Sequence, residues 1–95
     1  MNDPVRIILR GLAKTLGGAI ELVERETIDW ASITFTGGRH RLRLRSSADP
    51  APLIATIGDI DFPPRDHLVA DILIGEISAS DRGWLFEVEA LTVEL

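Results

Sequence analysis

An α+β fold follows from three features of this chain: a bounded amphipathic stretch at its start, alternating β-rich segments after it, and glycine-marked turns between them. The expected architecture is an N-terminal helix packed on an antiparallel sheet of about five strands built around two hairpins. Residues 1–95 are read as a single globular domain, the size a 10.4 kDa chain allows.

Residues 1–16 are expected to be helical. Asp3 can cap the helix, and Pro4 suits the first helical position, where its missing N–H costs nothing. Val5, Ile8, Leu9, Leu12 and Leu16 recur at helical spacing, while Arg6, Arg10 and Lys14 fall on the other side. Gly17-Gly18 supplies a stop, since glycine readily takes the left-handed C-cap conformation. Gly11 opposes the helix by about 1 kcal/mol relative to Ala. A rival strand with Val5, Ile7 and Leu9 on one face has no such boundary marks.

From residue 19 the character is β. Residues 19–24 and 28–36 are expected strands, the second rich in Ile, Thr, Phe and Trp. Gly37-Gly38 is expected as a two-residue turn into the strict alternation of residues 39–45. That register sets Thr36 against Arg39, Thr34 against Arg41, Ser32 against Arg43 and Trp30 against Arg45, where the indole and guanidinium could stack. The opposite face joins Phe35 to His40, Ile33 to Leu42 and Ala31 to Leu44. Every pair sorts into a polar or a mostly apolar face, and a one-residue slip would destroy the sorting.

Residues 46–52 read as a loop, and 53–62 as a strand bent at Gly58 and ended by Pro63-Pro64. Residues 68–80 and 84–95 form the second expected hairpin around Asp81-Arg82-Gly83. Its register pairs Ala79 with Trp84, Ile77 with Phe86, Gly75 with Val88 and Leu73 with Ala90. Glu76 meets Glu87 and Ile74 meets Glu89 on the other face, with Ile72 and Leu91 further along. Residues 64–74 also fit a helix through Leu68, Val69, Ile72 and Leu73. The far end of this hairpin is apolar on both faces, and one helix can cover only one of them.

Composition narrows the function classes. With 45% hydrophobic and 26% charged residues the chain is no disordered tail, collagen-like fibre or low-complexity segment. No apolar run approaches the roughly 20 residues a bilayer crossing needs, and Asp3 and Pro4 fit no signal peptide, so the expected compartment is the cytoplasm. The helix lacks an aromatic anchor for a membrane surface. Cysteine is absent, which excludes disulfides and thiolate metal sites. A net charge of −5 disfavours non-specific nucleic-acid binding, whose affinity comes from neutralising phosphates. Basic residues are nine Arg and one Lys, a skew for which base composition is a plainer explanation than function.

The clearest candidate site is the row Arg39, Arg41, Arg43 and Arg45, on one face of one strand at spacings of roughly 7 Å. It could receive an anion, a nucleic acid or an acidic protein partner. The plainer reading is a solvated face whose guanidiniums pair with carboxylates across the sheet. Glu76, Glu87 and Glu89 supply a complement, within one sheet or across a symmetric interface between two copies. Such pairs contribute about 0–1 kcal/mol each, so their larger effect is on specificity.

Asp59, Asp61, Asp66, His67 and Asp71, with His40 nearby, have ligand types for Mg²⁺ or Mn²⁺. The calcium-loop pattern is missing, and bends and turns account for these acids; no metal or cofactor is expected. Catalysis has little to stand on. Cysteine and tyrosine are absent, and Ser32, Ser46, Ser47, Ser78 and Ser80 lie in no nucleophile elbow. Glu87 with Glu89, or Asp59 with Asp61, could be drawn as acid–base pairs, but any acidic strand offers that spacing.

The sequence thus points to a small soluble module for binding or assembly, homodimeric and non-catalytic. One alternative is a ligand-binding or catalytic pocket between helix and sheet, using groups such as His40 or Asp59. Another is anion or nucleic-acid binding by the Arg row.

Overall fold

The computed structural model describes residues 3–60, 62 and 66–95. Helix α1 (Pro4–Leu16) is followed by strands β1 (Ile20–Ala31) and β2 (Thr36–Ser46), a short helix α2 (Ala51–Thr56), a 3₁₀ turn (Ile57–Asp59), and strands β3 (His67–Ser80) and β4 (Gly83–Glu94). The four strands make one antiparallel sheet in the order β1-β2-β4-β3, with α1 on one face. The α+β architecture is therefore as expected, with four strands rather than five.

Helix α1 begins and ends where its sequence marks predict. The Asp3 carboxylate accepts from the Val5 N–H at 3.1 Å, Pro4 opens the helix, and Gly17 closes it at φ 72°, a left-handed conformation that a side chain would strain. Its apolar stripe lies on the alternate residues of the two central strands. Val5, Ile8 and Leu12 pack with Leu42, Leu44, Leu53, Phe86, Val88 and Ala90, all but Ala90 at most 1% exposed. The layer between helix and sheet is filled by these side chains.

The first hairpin differs from its expected register. Residues 20–31 run as one continuous strand, and the chain turns at Ser32–Phe35, not at Gly37-Gly38. Ser32 holds this turn: its N–H donates to the Phe35 carbonyl at 2.7 Å and its hydroxyl accepts from the Phe35 N–H at 3.0 Å. Gly37 and Gly38 lie inside β2, opposite Trp30 and Asp29 on one side and Val93 and Thr92 on the other. Arg39 consequently faces Ile28 instead of Thr36, a slide of eight residues. An even slide leaves the residues of 28–31 that stay paired on their expected faces, which is why face sorting alone admits both registers; only before the bulge between Leu22 and Glu24 is the shift odd.

Two causes favour the observed one. It sets Glu26, Glu24 and Glu21 against Arg41, Arg43 and Arg45, and opposite charges across strands stabilise by roughly 0.2–1 kcal/mol per pair. It also uses the glycines for close approach. A Cβ on Gly37 would overlap the Thr92 carbonyl and come within 2.8 Å of Trp30 Cζ2, and one on Gly38 would come within 2.8 Å of His40 Cε1. Trp30 therefore lies across Gly37, not on Arg45, and Ile33 and Phe35 are exposed in the turn rather than paired with Leu42 and His40.

Two further expectations are corrected. The segment expected as a strand over 53–62 is helical through Asp59: Asp49 accepts from the Ala51 N–H at 2.9 Å, and Pro52 sits in the first turn. Asp61 and Pro63-Pro64 lie outside the described residues. The second hairpin keeps its expected pairs Ala79–Trp84 and Ile77–Phe86, then shifts by one residue at a bulge between Ile74 and Ile77. Beyond it Ile74 meets Val88, Ile72 meets Ala90 and Leu73 meets Glu89; a second bulge falls between Val69 and Asp71. From His67 onward the segment is strand, not helix.

Strands of 11–14 residues reach about 35–45 Å, whereas the 13-residue helix is about 20 Å long. The molecule is accordingly elongated, 45 × 23 × 22 Å. Helix α1 covers the half of the sheet near Ser46, leaving the half near the Ser32–Phe35 turn beyond its N-terminus. No helix among the described residues is long and apolar enough to cross a membrane.

Candidate functional site

Arg39, Arg41, Arg43 and Arg45 project from the sheet face opposite α1, as their alternation requires. Arg41 and Arg43 lie between two carboxylates each: Glu26 and Glu89 flank the first, Glu24 and Glu87 the second. Arg41 Nη2 is 3.4 Å from Glu89 Oε1, Arg43 Nη2 is 3.8 Å from Glu87 Oε1, and Arg45 Nη1 is 2.9 Å from Glu21 Oε2. Three of the four guanidiniums are thus paired within their own sheet. Arg39 differs: it stands between Ile28 and Leu91 and makes no ion pair among the described residues. Glu76 falls in the bulge of β3 and is not brought to any of the arginines.

Glu21, Glu24 and Glu26 are the members of this face that sequence reasoning missed. The available signal was charge matching. With Gly37-Gly38 as the turn, no acid faces the Arg row from the preceding strand; with a four-residue turn at 32–35, Glu26 and Glu24 do, and a bulge between Leu22 and Glu24 brings Glu21 to Arg45 as well.

A second polar group lies where α1 begins. Arg25 pairs with Asp3 and donates from Nε to Thr27 Oγ1 at 3.0 Å. Thr27 Oγ1 is 3.0 Å from His40 Nδ1, and His40 Nε2 is 2.8 Å from Thr92 Oγ1. Thr92 donates in turn to the Gly38 carbonyl at 3.4 Å. One assignment satisfies the series: Nε2 carries the proton of a neutral imidazole, and Nδ1 accepts from Thr27. Burial, then the Arg25 guanidinium, hold the His40 pKa below the usual histidine value. Partial burial pushes Asp3 up, but the hydrogen bonds from Arg25 and from the Val5 N–H outweigh it and hold the Asp3 pKa below the usual value.

Beyond this network the uncovered half of the inner face forms a cleft of about 700 Å³, lined in part by Trp30, His40, His67 and Glu94. Buried His67 sits 4.0 Å from Glu94 through Nε2, and its Nδ1 has no hydrogen-bond partner among the described residues. No group of three or more metal-ligating side chains occurs among the described residues. Asp59 ends the 3₁₀ turn, at a distance in the fold from His40 and His67 set by its place beside Gly11, Lys14 and Ile60.

The third feature is apolar. Strand β3 lies at the edge of the sheet, and both its faces carry aliphatic residues. Val69, Ile72, Ile74 and Ile77 are half-buried at the flank of the core, whereas Leu68 and Leu73 on the outer face are 44% and 56% exposed. The other edge strand, β1, carries Glu21, Glu24, Arg25, Glu26 and Asp29; β3 has only Asp71 and Glu76 in 14 residues. Charges along an edge discourage pairing with another chain, so the two edges differ in kind. The chain matches no protein-family model, no curated protein and no solved structure.

Proposed function

We propose that this chain is a small, non-catalytic binding and assembly module of the cytoplasm that works as a homodimer. The observation that carries the reading is the edge strand β3, aliphatic on both faces and poor in charge. Apolar side chains left in water at the rim of a sheet favour association, because each buried CH₂ contributes about 0.8 kcal/mol. The Arg row supports the same reading from the other side. Three of its four guanidiniums are matched by carboxylates of their own sheet, which leaves little free positive charge for an anion, a nucleic acid or an acidic protein.

The test is solution mass by light scattering after size exclusion, at low and at high salt. A dimer that persists at high salt is expected, since an apolar contact is not screened. A monomer under both conditions would refute the proposal. Dissociation by salt would move the contact from β3 to the Arg and Glu rows.

A further inference from the structure

We infer that β3 pairs antiparallel with β3 of a second copy, in the register centred on Leu73, to make one continuous eight-stranded sheet. This rests on the self-association proposed above and goes beyond it by naming the strand, the partner and the alignment.

The argument starts from the free edge. Among the described residues no strand pairs with the outer side of β3, so its backbone groups on that side form a row open to a neighbour. The exception is the Ile72 N–H, which donates to Asp71 Oδ1 at 3.0 Å and which the exposed carboxylate would release on pairing. A bulge on an edge ordinarily frustrates pairing with a regular strand, and β3 has two of them, at Ala70 and at Gly75-Glu76. Their placement is what selects the partner. They lie at nearly equal distances on either side of Leu73, so the same strand turned about a two-fold axis brings bulge opposite bulge.

Side-chain faces provide an independent check. The inner-face residues of β3 are Val69, Ile72, Ile74 and Ile77, aligned with Thr92, Ala90, Val88 and Phe86 of β4. Leu68, Asp71, Leu73 and Ser78 align with Val93, Leu91, Glu89 and Leu85 on the outer face. Centring on Leu73 places Ile72 against the partner's Ile74 and Val69 against the partner's Ile77, inner against inner. The same register places Leu73 against itself and Leu68 against the partner's Ser78, outer against outer. A single alignment therefore holds on both sides of both bulges. A strand lacking these two irregularities would lose the match at the first one.

Charge agrees with the alignment. Asp71 falls opposite the partner's Gly75, and Glu76 opposite the partner's Ala70, so neither carboxylate meets another. Like charges directly opposed would destabilise the pair. The half-buried isoleucines of the two copies would then cover one another, closing the flank of each core. An isologous contact of this kind is self-limiting, because each copy has one such edge.

The chain contains no cysteine, which makes a clean test possible. Leu73→Cys and Ile33→Cys are prepared separately in the full chain, both at exposed positions, and oxidised with copper phenanthroline at the concentration where light scattering gives a dimer mass for the parent. The expected result is a covalent dimer from Leu73→Cys at least about tenfold faster than from Ile33→Cys, because pairing holds the two position-73 thiols at high effective concentration. Equal rates, or faster linking at position 33, would overturn the edge pairing while leaving a dimer. A monomeric parent at every concentration would overturn the self-association reading itself. Amide exchange of the unmodified chain gives a second readout: Asp71–Ile74 should exchange more slowly as protein concentration rises, and concentration-independent exchange there would also refute the pairing.

Discussion

Replacing Gly37 by alanine tests the fold at its least anticipated point. If Gly37-Gly38 were a hairpin turn, substitution there would be mild, and Gly37→Asn would even stabilise, because Asn-Gly is the preferred pair for a tight two-residue turn. In the structure Gly37 sits in a central strand, and an added Cβ overlaps the Thr92 carbonyl and approaches Trp30 Cζ2 to 2.8 Å. The obstructing atom on one side is backbone and cannot rotate away, so β2 and β4 would have to separate locally. Overpacking of this kind costs about 1–3 kcal/mol, and with about 4–8 °C per kcal/mol for a domain of this size the expected fall in Tm is roughly 5–20 °C. Gly58→Ala provides the control, since nothing lies within 4 Å of the Cβ it would add; a change within about 0.5 kcal/mol is expected there. Thermal and urea unfolding followed by circular dichroism measure all three variants. A neutral Gly37→Ala, or a stabilising Gly37→Asn, would refute the register and restore the turn.

Three further outcomes follow from the polar groups. Because the folded His40 pKa is lowered by burial and by Arg25, the unfolded chain binds a proton there that the folded chain does not, once the pH drops below about 6.5. Stability should therefore fall on acidification through that range, as read from the urea midpoint at pH 7.5 and pH 5.5; a rise would contradict the neutral imidazole between Thr27 and Thr92. Arg41→Ala and Arg43→Ala should each change stability by only about 0–1 kcal/mol, both ion pairs being solvent-exposed. The parent chain should give no mobility shift with RNA or DNA at low salt, and a steeply salt-dependent shift would show that the carboxylates do not neutralise the row.

Much of this protein was determined by local chemistry that a sequence displays. Asp3, Pro4 and Gly17 bound α1 because capping and φ preferences act within a turn or two of the chain. The alternation from Arg39 to Arg45 put the arginines on one face and His40, Leu42 and Leu44 on the other, since side-chain direction in a strand depends only on parity. The Asp81–Gly83 turn set the nearby pairs of the second hairpin correctly for the same reason. What parity does not contain is register. Sliding β1 by eight residues keeps the faces of its paired residues beyond the bulge. The choice was made by Glu24 and Glu26 meeting arginines, with Glu21 added through the bulge before Glu24, and by Thr92 and Trp30 closing on Gly37. Strand order is equally non-local. Only the return of β4 to lie beside β2 pushed the aliphatic β3 to the rim, and only the bulges at Ala70 and Gly75-Glu76 turned the faces of its far half. These depend on contacts between residues dozens of positions apart, whose energies no short window of sequence sums.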